Sequence, residues 1–173
     1  MPTGELRNFF IFDLSGVSGP VTSATLRIST RNFSSADPTE TYTVFDVSTS
    51  PTSLAGGTGG VGAFNDLGSG VSYGSRIYSE PDQGLLRDIL LNASAIAAIE
   101  GSLGGNFALG GAVTSLSGLH DFEAIFGELA NDPGTVSLVL ETGRMSAVSE
   151  PASILLLGAG LAGLAARRYR KTT

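Results

Sequence analysis

Between residues 22 and 30 the apolar side chains Ala24, Leu26 and Ile28 alternate with Thr25, Arg27 and Ser29, the period-two signature of a strand with one buried face. The same alternation returns at residues 136–141, where Val136, Leu138 and Leu140 interleave with Ser137, Val139 and Glu141. Residues 7–14 carry Phe9, Phe10, Ile11 and Phe12 ahead of Ser15-Gly16 and read as a buried strand. By the same criteria strands are predicted over 41–47, 71–78, 85–91, 107–113 and 122–126. The period changes once, at residues 92–103, where Ile96, Ile99 and Leu103 share a helical face and Asn92 or Ser94 supplies the N-cap. Residues 31–40 form a polar loop turning at Asp37-Pro38, and the Ser/Gly-rich residues 48–62 read as a second, longer loop. Short strands, Gly-rich turns and one short helix predict a mainly β chain, an antiparallel two-sheet sandwich.

A different pattern closes the chain. Ser149-Glu150-Pro151 is followed by fifteen uncharged residues, Ala152 to Ala166, and then by Arg167, Arg168, Tyr169, Arg170 and Lys171. Within that run Ile154, Leu155, Leu156, Leu157, Gly158, Ala159, Gly160, Leu161, Ala162, Gly163, Leu164, Ala165 and Ala166 are the residues predicted to insert in a bilayer as a single transmembrane-type helix. Fifteen helical residues span roughly 22 Å, less than the ~30 Å hydrocarbon core. The long stems of Arg167, Arg168, Arg170 and Lys171 can snorkel across the difference, and Tyr169 suits the interface. The three glycines lower helix propensity in water but permit close helix approach in lipid. The basic cluster acts as a stop-transfer element that stays cytoplasmic, so the preceding residues lie on the other side. A plain C-terminal anchor or a buried helix would share the apolar run, but a buried helix would not end in four cations.

In order, spacing and terminal position this tail resembles the PEP-CTERM sorting domain of Gram-negative, exopolysaccharide-producing bacteria. In that family a Pro-Glu-Pro signature precedes a Gly-rich apolar helix and an Arg-rich end. Glu150 and Pro151 match the signature, and Ser149 stands in place of its first proline. The resemblance covers about one seventh of the 173 residues. It implies recognition by an exosortase, a membrane-embedded transpeptidase-like protease, with cleavage near Ser149, Glu150 and Pro151 and delivery to the cell surface. The chain then divides into a β domain over 1–142, a linker over 143–148 and a sorting signal over 149–173, the last with an apolar helix at 152–166 and a basic end at 167–171. Phe12-Asp13-Leu14-Ser15 followed by Ser23-Ala24-Thr25-Leu26-Arg27 also resembles the opening of DNRLRE-type and carbohydrate-binding-module-like jelly-roll domains of bacterial surfaces.

Charge and composition fit an exported protein. The chain has 10 basic and 16 acidic residues, and four of the basic ones sit in the terminal cluster. The six that remain against sixteen acids give −10 outside that cluster. Such a body argues against nucleic-acid binding. Cysteine is absent, which removes disulfide, zinc-thiolate and thiol chemistry. Twenty-four glycines and 15% charged residues suit an extracellular β domain better than a cytosolic helical one. Met1 to Glu5 offers no basic n-region, apolar h-region or cleavage site. The expectation is therefore a start assigned too late, with a signal peptide and one early strand upstream.

Several short patterns carry possible chemistry. Gly57-Thr58-Gly59-Gly60-Val61-Gly62 fits the dinucleotide fingerprint, which needs a strand before it and a helix after it to bring pyrophosphate to a helix N-terminus. Gly70-Val71-Ser72-Tyr73-Gly74 fits the nucleophile elbow, with Asp82, Asp88 and His120 downstream in hydrolase order, but an elbow belongs to a strand-turn-helix in an α/β sheet. Asp37 with Glu40, Asp66 with Asn65, and His120-Asp121 with Glu123 offer oxygen ligands for a hard cation without the spacing of a loop motif. Tyr42, Tyr73 and Tyr78 are either platforms for stacking on sugar rings or core residues, which the sequence alone does not separate. From these, no catalytic residue, metal ligand or cofactor is assigned, and the chain is expected not to be an enzyme. The reading is an exported cell-surface or extracellular-matrix protein, processed by an exosortase-like partner, whose β domain has a structural or adhesive role. A carbohydrate-binding module touching matrix polysaccharide and a secreted serine hydrolase are the alternatives.

Overall fold

Strand β2 (Val21–Ser29) shows why the alternation reads correctly: Val21, Ala24, Leu26 and Ile28 are buried while Thr22 and Arg27 face solvent. The structure, a computed structural model, describes residues 5–116, 123–126 and 136–143. Around β2 the remaining strands are β1 (Arg7–Asp13), β3 (Glu40–Phe45), β4 (Ser72–Tyr78), β5 (Leu86–Leu90), β6 (Asn106–Val113) and β7 (Val136–Thr142). They form two antiparallel sheets, one ordered β1-β6-β3-β4 and the other β5-β2-β7. Phe10, Tyr42, Val44, Tyr78 and Leu109 of the first sheet share one buried cluster with Ala24, Leu26, Ile28 and Ile89 of the second. Helix α3 (Ala93–Gly101) adds Ala95 and Ile99 to that cluster. Its N-cap is Asn92, whose side chain accepts from the Ala95 amide at 3.1 Å, satisfying a donor that the first helical turn leaves open.

The outer face of the first sheet is covered as well. Helices α1 (Pro51–Ala55) and α2 (Gly60–Asp66) lie where residues 48–62 read as a loop. This is a correction, and its cause is local: Ser50 accepts from the Ser53 amide at 3.2 Å and Pro51 opens the helix, a cap and first turn hidden in a Ser/Gly-rich composition. Leu54 of α1 and Leu67 after α2 bury against Ala108, with Ile11, Val47 and Ala63 around them. Arg7 holds α2 in place by donating to the Phe64 and Asn65 carbonyls at 3.1 and 3.0 Å, with its guanidinium 4.6 Å from the Phe64 ring centroid. The close approach requires glycine in β6, since a Cβ at Gly110 would stand 2.6 Å from the Leu67 carbonyl oxygen. On the opposite face Gly111 leaves room for the Tyr42 hydroxyl, which donates to Asn8 at 2.7 Å.

Two further expectations change. Among the described residues three α-helices and a 3-10 turn at Glu80–Asp82 stand where one short helix was expected, α3 being that one. The strand predicted over 122–126 is not one in its described part: Ala124 makes an isolated bridge to Ser34, while Ile125 is buried and Phe126 sets its ring edge-on to Tyr42 and Tyr78 at 4.8 and 5.5 Å. Aromatic content there serves the core instead of a ladder. Seven strands stand among the described residues. Within those residues no helix is long and apolar enough to cross a membrane, and the predicted helix at 152–166 lies outside them.

Candidate functional site

The seam between the edge strands β4 and β5 gathers three arginines and two aspartates in a defined geometry. The Asn92 amide and side chain tie β5 to β4 by donating to the Tyr73 and Ser72 carbonyls, each at 2.8 Å. Below them, Asp82 ends the 3-10 turn in a reciprocal cap, accepting from the Ser79 amide at 2.9 Å and from its hydroxyl at 3.2 Å. Its other oxygen takes Arg87 Nε at 2.6 Å and lies 3.5 Å from an Arg76 nitrogen. Arg76 also donates to the Asp88 carbonyl of β5 at 3.4 Å. On the outer face of the second sheet Arg27 and Asp88 are cross-strand partners and pair in two-pronged fashion at 2.7 and 2.8 Å. Burial would raise the Asp82 carboxyl, but bonds from Ser79 and Arg87 outweigh it and hold the group below its ordinary value. The bonds from Arg27 lower Asp88 in the same direction.

Arg27, Arg76, Leu86, Arg87 and Asp88 line an open groove of about 390 Å³ along this seam. Under it the Arg76 guanidinium lies 5.5 Å from the Tyr78 ring centroid. Arg76 Nε and the Tyr78 hydroxyl are both buried without a hydrogen-bond partner. Burial pushes the Tyr78 phenol well above its usual range, so it stays neutral. Arginine was not singled out in the sequence, because residues 27, 76 and 87 stand on three different strands, united by the pairing of β2 with β5 and by the contacts of Arg76 with Asp82 and the Asp88 carbonyl.

A second cluster forms where Ala124 bridges Ser34. Asp37, Glu40 and Glu123 place carboxylate oxygens within 4.8 Å of one another, joining two of the acid pairs that the sequence offered separately. Glu40 is 1% exposed, accepts from the Ser35 hydroxyl at 2.5 Å, and accepts from the Ser115 hydroxyl. These oxygens could hold a hard cation. Asp66 does not join them. It accepts from the amides and hydroxyls of Ser48 and Thr49 at 2.7 to 3.0 Å, fastening the segment that leads into α1.

The other sequence candidates take simpler places. Gly57 to Gly62 run from the end of α1 into α2, without the strand that a pyrophosphate site requires. Ser72 opens strand β4 and is exposed, so no helix follows it to make an elbow. Asp82 and Asp88 are committed to arginines, and His120 and Asp121 lie outside the described residues. Tyr42, Tyr73 and Tyr78 are 1%, 6% and 0% exposed, which decides for the core over a platform for sugar rings. Ser149, Glu150 and Pro151, the apolar residues from Ile154 to Ala166, and Arg167, Arg168, Arg170 and Lys171 all lie outside the described residues.

Residues 147–171 match the family model of the PEP-CTERM protein-sorting motif. No curated protein and no solved structure matches the chain. The motif is a C-terminal sorting signal of exported proteins, of the kind exosortases recognise, and it marks a secreted or cell-surface protein processed at the membrane.

Proposed function

We propose, from the premise that this is a PEP-CTERM sorting domain-containing protein, that an exosortase-like protease or transpeptidase cleaves it beside Glu150-Pro151 and leaves its β domain on the cell surface or in the extracellular matrix of a Gram-negative envelope. The motif match over 147–171 carries this reading. Ser149, Glu150 and Pro151 form the recognition segment, Ile154 to Ala166 insert in the bilayer, and Arg167, Arg168, Arg170 and Lys171 stop transfer on the cytoplasmic side. The linker over 143–148 separates this signal from a β-sandwich of jelly-roll type over 1–142. That domain is non-enzymatic and serves a structural or adhesive role. Its support is the shared core between the two sheets and the use of Asp82 and Asp88 as partners of arginine.

Intact mass of the protein recovered from its native host tests the proposal. A mass lacking the residues after about Pro151 is expected. Replacing Glu150 and Pro151 together by alanine should leave full-length chain in the membrane fraction. Full-length wild-type chain in that fraction, with no shorter surface form, would reduce the tail to a plain anchor.

A further inference from the structure

Half of the basic residues outside the terminal cluster converge on one groove. Six such residues stand against sixteen acids, yet Arg27, Arg76 and Arg87 all line the open groove at the β4–β5 seam. Cations scattered for solubility would not gather in this way, and a groove that concentrates one sign focuses the field that an oppositely charged ligand meets.

Asp88 pairs with Arg27 and Asp82 serves Arg87 and Arg76 together, so within these ion pairs three guanidinium groups share two carboxylates. Guanidinium keeps its charge at any physiological pH. A seam held together by ion pairs needs only one arginine for each aspartate. The third is surplus to that purpose, and Arg76 Nε is a buried donor with nothing to accept from it. Buried donors in that state are uncommon and call for a partner. The Arg27–Asp88 pair is about half exposed, at 44% and 48%, so an incoming anion can share the Arg27 fork without unburying the core.

We propose that this groove binds a carboxylate-bearing ligand, gripped by Arg27, Arg76 and Arg87 as these arginines already grip Asp82 and Asp88. A planar guanidinium fork matches a carboxylate in two-pronged fashion. Exposed Leu86 gives the non-charged part of the ligand an apolar flank. The site is independent of the sorting reading, since a chain that is never cleaved would still bind.

The test is titration calorimetry on the full 173-residue chain in non-ionic detergent, with an oligogalacturonate, inorganic phosphate and neutral dextran as probes. Binding of the oligogalacturonate is expected, weakening as salt is raised, with phosphate weaker and dextran silent. Arg27→Gln and Arg87→Gln should each weaken binding about tenfold. Arg7→Gln, which removes a positive charge outside the groove, should leave it unchanged. Arg27 is exposed, so its variant decides the matter even where loss of Arg87 prevents folding. Absence of oligogalacturonate binding, equal binding of dextran, tighter binding of phosphate, or equal weakening by Arg7→Gln would each overturn the proposal.

Discussion

Asp82 is the residue whose substitution separates local structure from charge at the seam. It is 7% exposed and caps the 3-10 turn while holding two arginines. Asp82→Asn keeps a similar shape but leaves those guanidiniums without their shared carboxylate, at a cost of about 1–3 kcal/mol, read as a lower urea midpoint. The pH dependence has a fixed sign. Burial raises the carboxyl but the hydrogen bonds prevail, so the folded value lies below the ordinary 3.8. The group therefore stabilises the fold at pH above 3.8, and that contribution disappears as pH falls through the folded value. The wild-type midpoint should drop over that window, and the Asn variant should lose this component of the drop. A variant with the wild-type acid limb would show that Asp82 is not the group responsible. Nothing in the local sequence reveals this role: Ser79 and Asp82 stand at capping-box spacing, but Arg76 and Arg87 reach Asp82 from two strands of different sheets. Gly110 and Gly111 teach the same lesson, because the Leu67 carbonyl and the Tyr42 hydroxyl that require them are more than forty residues away.

Among the elements, strands were legible where one face is buried and the other is wet. β2 and β7 show their pairing in their side chains, with Ala24, Leu26 and Ile28 opposite Leu140, Leu138 and Val136. The helix at α3 was legible for the same reason, a change of period with Asn92 at its head. α1 and α2 were not, since helices of five and seven residues are too short to display a period, and their helical form rests on packing against the sheet. The described residues 123–126 failed oppositely, because an apolar aromatic segment serves equally as strand or as plug. The two cores predict a graded response. Leu54 belongs to a small cluster under two short helices, and Leu54→Ala should cost about 2 kcal/mol. Leu26 is fully buried between the sheets, and Leu26→Ala should cost about 4 kcal/mol. Chemical denaturation of both variants measures this order. A Leu54→Ala cost equal to that of Leu26→Ala would mean that α1 and the sheet unfold as one unit.

At the scale of the whole molecule, the position of β7 decides where the chain can be cut. β7 pairs with β2 along its length, from Val136 opposite Ile28 to Thr142 opposite Val21. The Gly143 amide then donates to the Pro20 carbonyl at 2.8 Å, which ends the ladder. Val136, Leu138 and Leu140 pack against the main core, so a chain that stops before them bares one side of Ala24, Leu26 and Ile28. A chain ending at Gly143 keeps every one of these contacts and loses only residues 144–148 of the linker and the proposed sorting signal. It should be soluble without detergent and unfold at the same urea midpoint as the full chain in micelles, within about 0.5 kcal/mol. A chain ending at residue 135 should instead aggregate, because an apolar sheet face and an unpaired edge are exposed together. Equal behaviour of the two truncated chains would show that β7 is dispensable. A lower midpoint for the chain ending at Gly143 would show that residues beyond it stabilise the β domain, and the boundary between domain and sorting signal would have to move.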